Sequence, residues 1–368
     1  MKKFLLYTVL VGVTVLILLN PAETVEYASR GLNMCYEIII PSLFPFFVCS
    51  GLLIYSGFCE VLARVFQPVM KPLFNINGSG AAAFVLGIIS GYPLGAVTTC
   101  QLYENSYVSK SEAERLLAFC NNSGPLFILG SVGISLYGSP KIGVLLYAAH
   151  ILAALCVGII FRFYKRGTFN APASEINTQP RSIGEIFSTV LSNSINSILT
   201  VCAAVVFFSV VSNIAISYFH LDGALRAVIL GLSEFVTGVT SLSQTELVLR
   251  EKLVLSAAIV GFAGLSVHIQ VMGVVSRHML RLKPYIIGKI MHGALAAGFT
   301  ALFLKLFPAA TPVQVFNNTA GLNAGFAVSS LYTVLTVVAV VLVCLVLSAW
   351  LFVREVRRLR RRMNRITK

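Results

Sequence analysis

LGIISGYPLGAVTTCQ (Leu86 to Gln101) and LGLSEFVTGVTSLSQ (Leu230 to Gln244) read as distant copies of one another. Each is an apolar segment interrupted by residues that end a helix. Each is followed by a second interrupted segment, FCNNSGPLFILGSVG (Phe119 to Gly133) in the first copy and IVGFAGLSVHIQVMG (Ile259 to Gly273) in the second. Leu86–Gly87 align with Leu230–Gly231, Gly95 with Gly238, Gln101 with Gln244, Gly124 with Gly264 and Gly133 with Gly273. Paired broken apolar segments in two halves of a membrane chain are the sequence pointer to a transporter's binding site.

Composition sets the solvent. Apolar residues make up 57% of the 368 and charged residues 11%, against roughly 25% charged in soluble domains. Several apolar runs are long enough to cross a hydrocarbon layer of about 30 Å. The expected class is an all-α polytopic membrane protein. The net charge of +14 is concentrated: Arg354 to Lys368 carries eight basic residues against Glu355 alone. No folded nucleic-acid module accompanies this tail, so it reads as a cytoplasmic end that fixes topology and touches anionic lipid. The eight cysteines are scattered through apolar stretches with no CxxC or Cys/His spacing, which argues against a zinc site or a disulfide framework. Lys2–Lys3 followed by Phe4 to Leu19 has the look of a signal peptide. No small-x-small cleavage site follows Asn20–Pro21, so it is expected to stay as an uncleaved first span.

Eight spans are expected, at 4–19, 35–57, 113–136, 141–164, 190–219, 253–277, 285–306 and 327–353. The broken segments 80–104 and 224–249 are expected as re-entrant hairpins, since irregular backbone at membrane depth must be buried in protein or line a wet cavity. With that arrangement Arg64 and Lys71, the cluster Arg162 to Arg181, Arg277 to Lys283 and the tail all fall inside, as the positive-inside rule requires. Reading both segments as full crossings would place the 165–185 loop outside. The hairpin arrangement makes the two copies inverted repeats. The chain divides into an N-terminal span with a short outer loop (1–30), a first repeat (31–164), a cytoplasmic linker (165–189), a second repeat (190–306), an outer loop with the last span (307–353) and the tail (354–368).

Four polar clusters sit at the breaks. Ser90, Gly91, Tyr92 and Pro93 interrupt the first hairpin, where glycine and proline end the helix and free backbone groups. Asn121, Asn122, Ser123 and Gly124, before Pro125, interrupt the next span, and hydrocarbon cannot satisfy two adjacent amides. Glu234, with Thr237, Gly238 and Thr240 after it, brings a carboxylate to membrane depth, where such groups default to ion or substrate roles. Glu234 could instead pair with Arg226. Ser266, His268 and Gln270 occupy the second copy's counterpart of the asparagine break. Alternation by two is not helical, so these three share a face only if the helix is unwound there. Gln101 and Gln244 are expected to cap the hairpins' second arms. There is no HExxH, GxSxG, Walker loop or paired-acid metal motif, so neither an enzyme, a resident metal nor a cofactor is expected.

The strings PSLFPFFVCSGLL (Pro41 to Leu53), SGYPLGA, CNNSGPLFILGSVG and SLSQTELVLREKLVLSAAIVGFAGLSVHIQV resemble the sporulation integral membrane protein YlbJ (SpoVV) family. That family lies within the nucleoside-recognition Gate superfamily, related to concentrative nucleoside transporters. The resemblance spans residues 30–300 or so. It implies a role in endospore formation, an outer forespore membrane location and movement of dipicolinic acid, with the hairpin tips and unwound helices forming the substrate site. It implies as partners a small-molecule substrate, dipicolinate, with a co-transported cation or proton, the lipid bilayer and a possible homo-oligomer. A nucleoside carrier of the same fold and a non-transporting scaffold in spore assembly are the alternatives. One tension follows. Dipicolinate is a dianion, and the expected site offers amides, hydroxyls and helix N-termini but no midplane Arg or Lys, and it includes Glu234. Either the ligand travels with a cation or protons, or Glu234 points elsewhere or is protonated. Tyr92 or Phe235 is placed to stack on the pyridine ring.

Overall fold

The computed structural model describes residues 2–56, 58–165 and 182–307. The expected span at 327–353, the basic tail and the linker residues 166–181 lie outside the described residues. Those described are helical and joined by short loops, with no strand among them. Among the described residues five helices are long and apolar enough to cross a membrane, and the chain is an integral membrane protein.

α1 (Lys2–Leu19) coincides in its bounds with the first expected span, but its apolar part, Tyr7–Leu19, is shorter than those five. α2 (Pro21–Met34) starts on a proline, whose fixed φ and missing N–H suit a first helical turn. It continues through a π-helical turn, Cys35–Ile39, into α3 (Ile40–Tyr55), and together they form one candidate span, Pro21–Leu53. The second span therefore begins well before residue 35, and the expected outer loop around Glu23 and Glu26 is helical. α4 (Phe58–Phe74) also forms where only a connection was expected. It is amphipathic: Leu62, Val69, Met70 and Phe74 are buried, while Arg64, Gln67 and Lys71 are exposed.

α5 (Gly80–Ser90) and α6 (Leu94–Glu104) are the two arms of the first broken segment. α10 (Gly223–Ser233) and α11 (Phe235–Ser243) are those of the second. An arm of eleven residues is about 16 Å long at 1.5 Å per residue, roughly half the hydrocarbon layer. The arms fold back on each other, and the aligned glycines do the same work in both copies. A Cβ at Gly87 would stand 3.1 Å from the Gly95 Cα, and one at Gly238 would fall on the Gly231 backbone. Gly124 and Gly264 are equivalent too: each fits against the turn of its own hairpin, Gly124 against Ser90–Gly91 and Gly264 against Ser233 and Phe235. Each hairpin is also pinned by a helix upstream of it, with α4 intervening in the first copy. Ser50 of α3 hydrogen-bonds Ser90, and Ser212 of α9 (Ile183–Ser217) hydrogen-bonds Ser233. The alignment of Gly133 with Gly273 does not carry over. Gly133 packs on Gly143, whereas Gly273 faces open space.

The expected spans 113–136 and 253–277 are each two pieces. α7 (Lys110–Phe119) stops before the irregular stretch 121–124, and a π-helical segment, Leu126–Leu136, follows. α12 (Leu249–Phe262) ends at Ala263, which is left-handed with φ 76°, and α13 (Gly264–Val275) begins at once. α8 (Pro140–Phe161) and α14 (Lys283–Leu306) are continuous. α14 packs one face on α7, α8 and α12 and leaves Ile286, Ile287, Ile290 and Leu302 exposed on the other. Small residues allow these approaches: a Cβ at Gly288 would meet the Ala118 Cα at 2.8 Å, and one at Gly261 the Gly293 Cα at 2.7 Å. Close backbone packing of this kind is a main source of helix association in lipid.

One end of the bundle is tied by two buried charges of α7. Arg115 donates to the carbonyls of Tyr164 (2.8 Å) and Lys165 (3.0 Å), just past the end of α8, and to that of Asn75 (2.7 Å). A cation there suits the negative end of the helix. Glu114 accepts from the Tyr164 hydroxyl (2.9 Å), the Lys165 ammonium (2.7 Å) and the Arg281 backbone N–H (3.2 Å). The Glu114 carboxylate holds the Lys165 ammonium above its ordinary range.

Gly238→Ala forces a methyl onto the Gly231 backbone and to 3.1 Å from the Ala227 carbonyl. A loss of about 1–3 kcal/mol is expected, read as a lower thermal midpoint in detergent. Gly273→Ala meets nothing within 4 Å and is expected to be neutral or slightly stabilising. Equal midpoints for the two variants would remove the close approach from the fold.

Candidate functional site

The two hairpin turns and the two breaks converge. Between them lies a cavity of about 20 Å³, lined among others by Ser42, Tyr92, Ser123, Phe235, Ser266 and Gln270. That is room for about one water. Of the expected residues, Tyr92, Ser123, Gly124, Ser266 and Gln270 line it. Tyr92 follows the left-handed Gly91 (φ 85°) and precedes Pro93, to which it is joined by a cis peptide bond. Its hydroxyl donates to the Val260 carbonyl at 2.9 Å, fastening the first hairpin's turn to the second copy. Its ring meets Phe235 edge-on (centroids 5.3 Å apart), and Phe235 meets Phe127 in the same way (5.1 Å). The two turns thus touch through aromatic edges.

Glu234 is 1% exposed and does not pair with Arg226, which donates instead to Asn213 (3.2 Å). It is the N-cap of α11. Its carboxylate accepts from the backbone N–H of Val236 (3.1 Å) and Thr237 (2.7 Å) and from the Thr237 hydroxyl (2.8 Å). A carboxylate at a helix N-terminus satisfies orphan donors and complements the positive end of the dipole. Thr237 serves that cap, and Gly238 serves the arm-to-arm approach. Ser90 is engaged by Ser50. Gln244 is the C-cap of α11, while Gln101 lies within α6 and Asn105 caps it.

Ser266, His268 and Gln270 do not lie on unwound chain. The break falls before them, at Ala263–Gly264, and α13 is regular. Ser266 and Gln270, four residues apart, share the cavity face. His268 turns away, between Phe262 (centroids 4.7 Å) and Tyr285 (5.2 Å), with its Nδ1–H on the Gly264 carbonyl at 2.7 Å. All three are buried, and Ser266 Oγ, His268 Nε2 and Gln270 Nε2 have no hydrogen-bond partner.

The asparagine break shows the residue that the sequence reading lacked. Lys289, in the second turn of α14, is 1% exposed. Its ammonium donates to the Asn121 backbone carbonyl at 3.1 Å and lies 5.3 Å from the Tyr92 ring centroid. Among the described residues no carboxylate pairs with it. The expectation that the site lacks an Arg or Lys is therefore corrected: a buried ammonium stands at the asparagine break. The Asn121 side chain is buried with both polar atoms unpartnered, and Tyr285 lies beside it. Asn122 donates to the Phe119 carbonyl at 2.9 Å and keeps its own oxygen free. The Ser123 N–H donates to His150 Nε2 of α8 at 3.1 Å. A signal for Lys289 was present in sequence. Tyr285, Lys289, His292, Ala296 and Thr300 recur at steps of three and four and are all buried, which makes a polar stripe along the core face of an apolar helix.

The arrangement therefore offers one uncompensated cation, several free amide and hydroxyl groups and an aromatic edge, all at broken helices. Among the described residues no group of His, Cys, Asp and Glu is placed to hold a metal ion.

The family model described as "Nucleoside recognition" (Gate) matches residues 37–219. The chain is 31% identical over 327 residues to the sporulation integral membrane protein YlbJ of Bacillus subtilis (strain 168), covering 79% of this chain and 80% of that one. No solved structure matches.

Glu234→Ala removes three hydrogen bonds at the start of α11. A destabilisation of about 1–2 kcal/mol is expected, with Glu234→Gln less affected because its amide oxygen still accepts. Chemical or thermal unfolding of the two variants in detergent measures this. An unchanged stability of Glu234→Ala would show that the carboxylate is not a structural cap.

Proposed function

The chain belongs to the YlbJ family of sporulation integral membrane proteins, and we propose that it is a secondary transporter serving endospore formation, moving dipicolinic acid across the outer forespore membrane. The observation that carries this reading is Lys289. A buried ammonium with no carboxylate partner is costly in a membrane unless a function retains it, and an anionic substrate is the compensating charge. The ammonium has further protons to donate beyond the one on Asn121, and charge-assisted hydrogen bonds to carboxylate are the strong ones. The unpartnered groups of Asn121, Ser266 and Gln270 suit a second carboxylate, and the Tyr92–Phe235 pair suits an aromatic ring. Glu234 is turned into its own helix cap, which removes the objection of a carboxylate facing a dianion.

In this reading the short paired arms are re-entrant hairpins, and the two copies are inverted halves that alternate access around the shared site. The shared hairpin packing supports it. Two glycine pairs, two serine pins and two break glycines recur in the same roles. The cavity between the turns is too small for a pyridine ring, so the turns must part to admit one. The second reading, a nucleoside carrier, is favoured by the family-model description. A neutral nucleoside leaves Lys289 without a counter-charge, which is why the dicarboxylate is preferred.

Purified protein in liposomes is expected to exchange labelled dipicolinate and not uridine or adenosine. Lys289→Met, which keeps the apolar stem, is expected to fold and to lose about 10- to 100-fold in apparent affinity, the range of a charged hydrogen bond. Asn121→Leu with Asn122→Leu is expected to lose flux as well. Undiminished dipicolinate exchange in Lys289→Met would sink the site, and nucleoside exchange alone would favour the second reading.

A further inference from the structure

We infer that His150 is a proton-binding site that couples proton movement to passage of the dicarboxylate; the inference rests on the transport reading above. His150 Nε2 accepts the Ser123 N–H at 3.1 Å, so this nitrogen carries no proton and the ring is neutral as described. Its neighbour His292 donates Nε2–H to the His150 carbonyl at 3.0 Å, and the ring centroids are 4.3 Å apart. His292 Nδ1 is buried and unpartnered. Lys289 stands one turn before His292 on the same helix, α14.

α8 and α14 therefore hold the unwound stretch at two points, the Asn121 carbonyl through Lys289 and the Ser123 N–H through His150. The second of these points belongs to the wall of the site, because Ser123 lines the cavity; the first lies two residues before it. Protonation at Nε2 removes the acceptor of the Ser123 N–H. That donor lies just before the N-terminus of the Leu126–Leu136 helix, where free N–H groups and the helix dipole bind anions. The same proton thus creates a cation and frees an anion-binding donor. A second cation beside Lys289 is unfavourable alone and favourable once a dicarboxylate is present. Ammonium and imidazolium together match its two charges. Substrate and proton raise each other's affinity by the same factor. No covalent bond of the substrate changes: the proton enters on Nε2 with the substrate, leaves from Nε2 with it, and the Ser123 N–H returns to the ring.

The remaining surroundings do not compete for that proton. α12 brings Ser256, Ala257 and Val260 to the ring, and Leu126–Leu136 has no titratable residue. The Cys120 thiol, at the end of α7, lies on Thr99 and the Gly95 carbonyl. Glu114 and Arg115 of α7 are engaged beyond the far end of α8. Arg64 and Lys71 of α4 are exposed, and on α8 itself the Tyr147 hydroxyl is directed at the Ile88 carbonyl (3.4 Å). A void of about 10 Å³ adjoins His150 and Ser256, close to the space one water needs.

The test uses the full chain in liposomes, with the membrane potential clamped at zero, dipicolinate as probe and a trapped pH dye. The wild type is expected to move one proton with each substrate and to accumulate dipicolinate about tenfold per pH unit of inward acid gradient. His150→Gln keeps an acceptor for the Ser123 N–H but cannot carry the proton. It is expected to exchange dipicolinate at equal pH, more slowly, and to lose gradient-driven accumulation. Wild-type exchange without proton movement overturns the inference and leaves the transport reading standing, and so does gradient-driven accumulation by His150→Gln. Should His150→Gln fail to fold, the wild-type proton count decides. Absence of dipicolinate exchange in the wild type overturns the transport reading and the coupling with it.

Discussion

Opening a helix inside a membrane releases backbone N–H and C=O groups that lipid cannot satisfy, and the architecture of this protein is arranged around that constraint. Each break is answered by a specific side chain. Glu234 takes the free N–H groups at the start of α11. His150 takes the Ser123 N–H, and Lys289 donates to the Asn121 carbonyl. The Tyr92 hydroxyl reaches the Val260 carbonyl, near the end of α12. Apart from Glu234, which caps its own helix, these partners come from elements far away in sequence, so satisfying the breaks also determines how the two copies dock. The groups that stabilise the fold at the breaks are the same groups that would meet a ligand.

The second constraint is proximity. Side chains of this reach can serve the breaks only if backbones approach closely. The glycines at the hairpins and along α14 remove the Cβ atoms that would prevent it. Ser50 with Ser90 and Ser212 with Ser233 then tie each hairpin to a helix upstream of it. Ligand-sized space is absent between the turns, which are closed by aromatic edges and small residues. Such contacts are apolar and weakly directional, so parting them sacrifices packing but no strong hydrogen bond other than that of Tyr92.

Local chemistry made the breaks legible. Gly-Tyr-Pro and Asn-Asn-Ser-Gly-Pro in apolar surroundings announce an end of helix whatever the tertiary context, and the glycine alignments predict shared packing that the hairpins show. The α12–α13 break was placed too late. Its left-handed residue is Ala263, and a left-handed alanine has no sequence signature, while Ser266, His268 and Gln270 drew attention by being polar. α4 was read as a connection because Arg64 and Lys71, which lie on its exposed face, served only as markers of the inner side. Lys289 lies inside the expected span 285–306, just after Arg277, Arg281 and Lys283, which are read as topology markers, and drew no reading of its own. Its significance depends on Asn121 and Tyr92, each well over a hundred residues away, and a single residue type cannot announce such long-range partners. The periodic stripe from Tyr285 to Thr300 was the available clue.

The two copies are alike in packing and unlike in charge, and the difference follows from where each buried ionisable group is used. In the second copy's hairpin the anion, Glu234, is consumed by its own helix terminus and faces no ligand. The cation, Lys289, and the neutral His150–His292 pair sit on the two continuous helices, α14 and α8, that flank the first copy's break. Continuous helices keep their backbone groups paired internally, so their side chains are free to hold a mobile neighbour. A charged group on rigid elements, gripping a backbone that has no helix of its own to return to, is an anchor whose hold a competing anion can replace without unfolding anything else. That division explains why the ionisable groups are not distributed with the symmetry of the glycines: packing must be shared by both halves, whereas a single ligand needs its counter-charge on one side only.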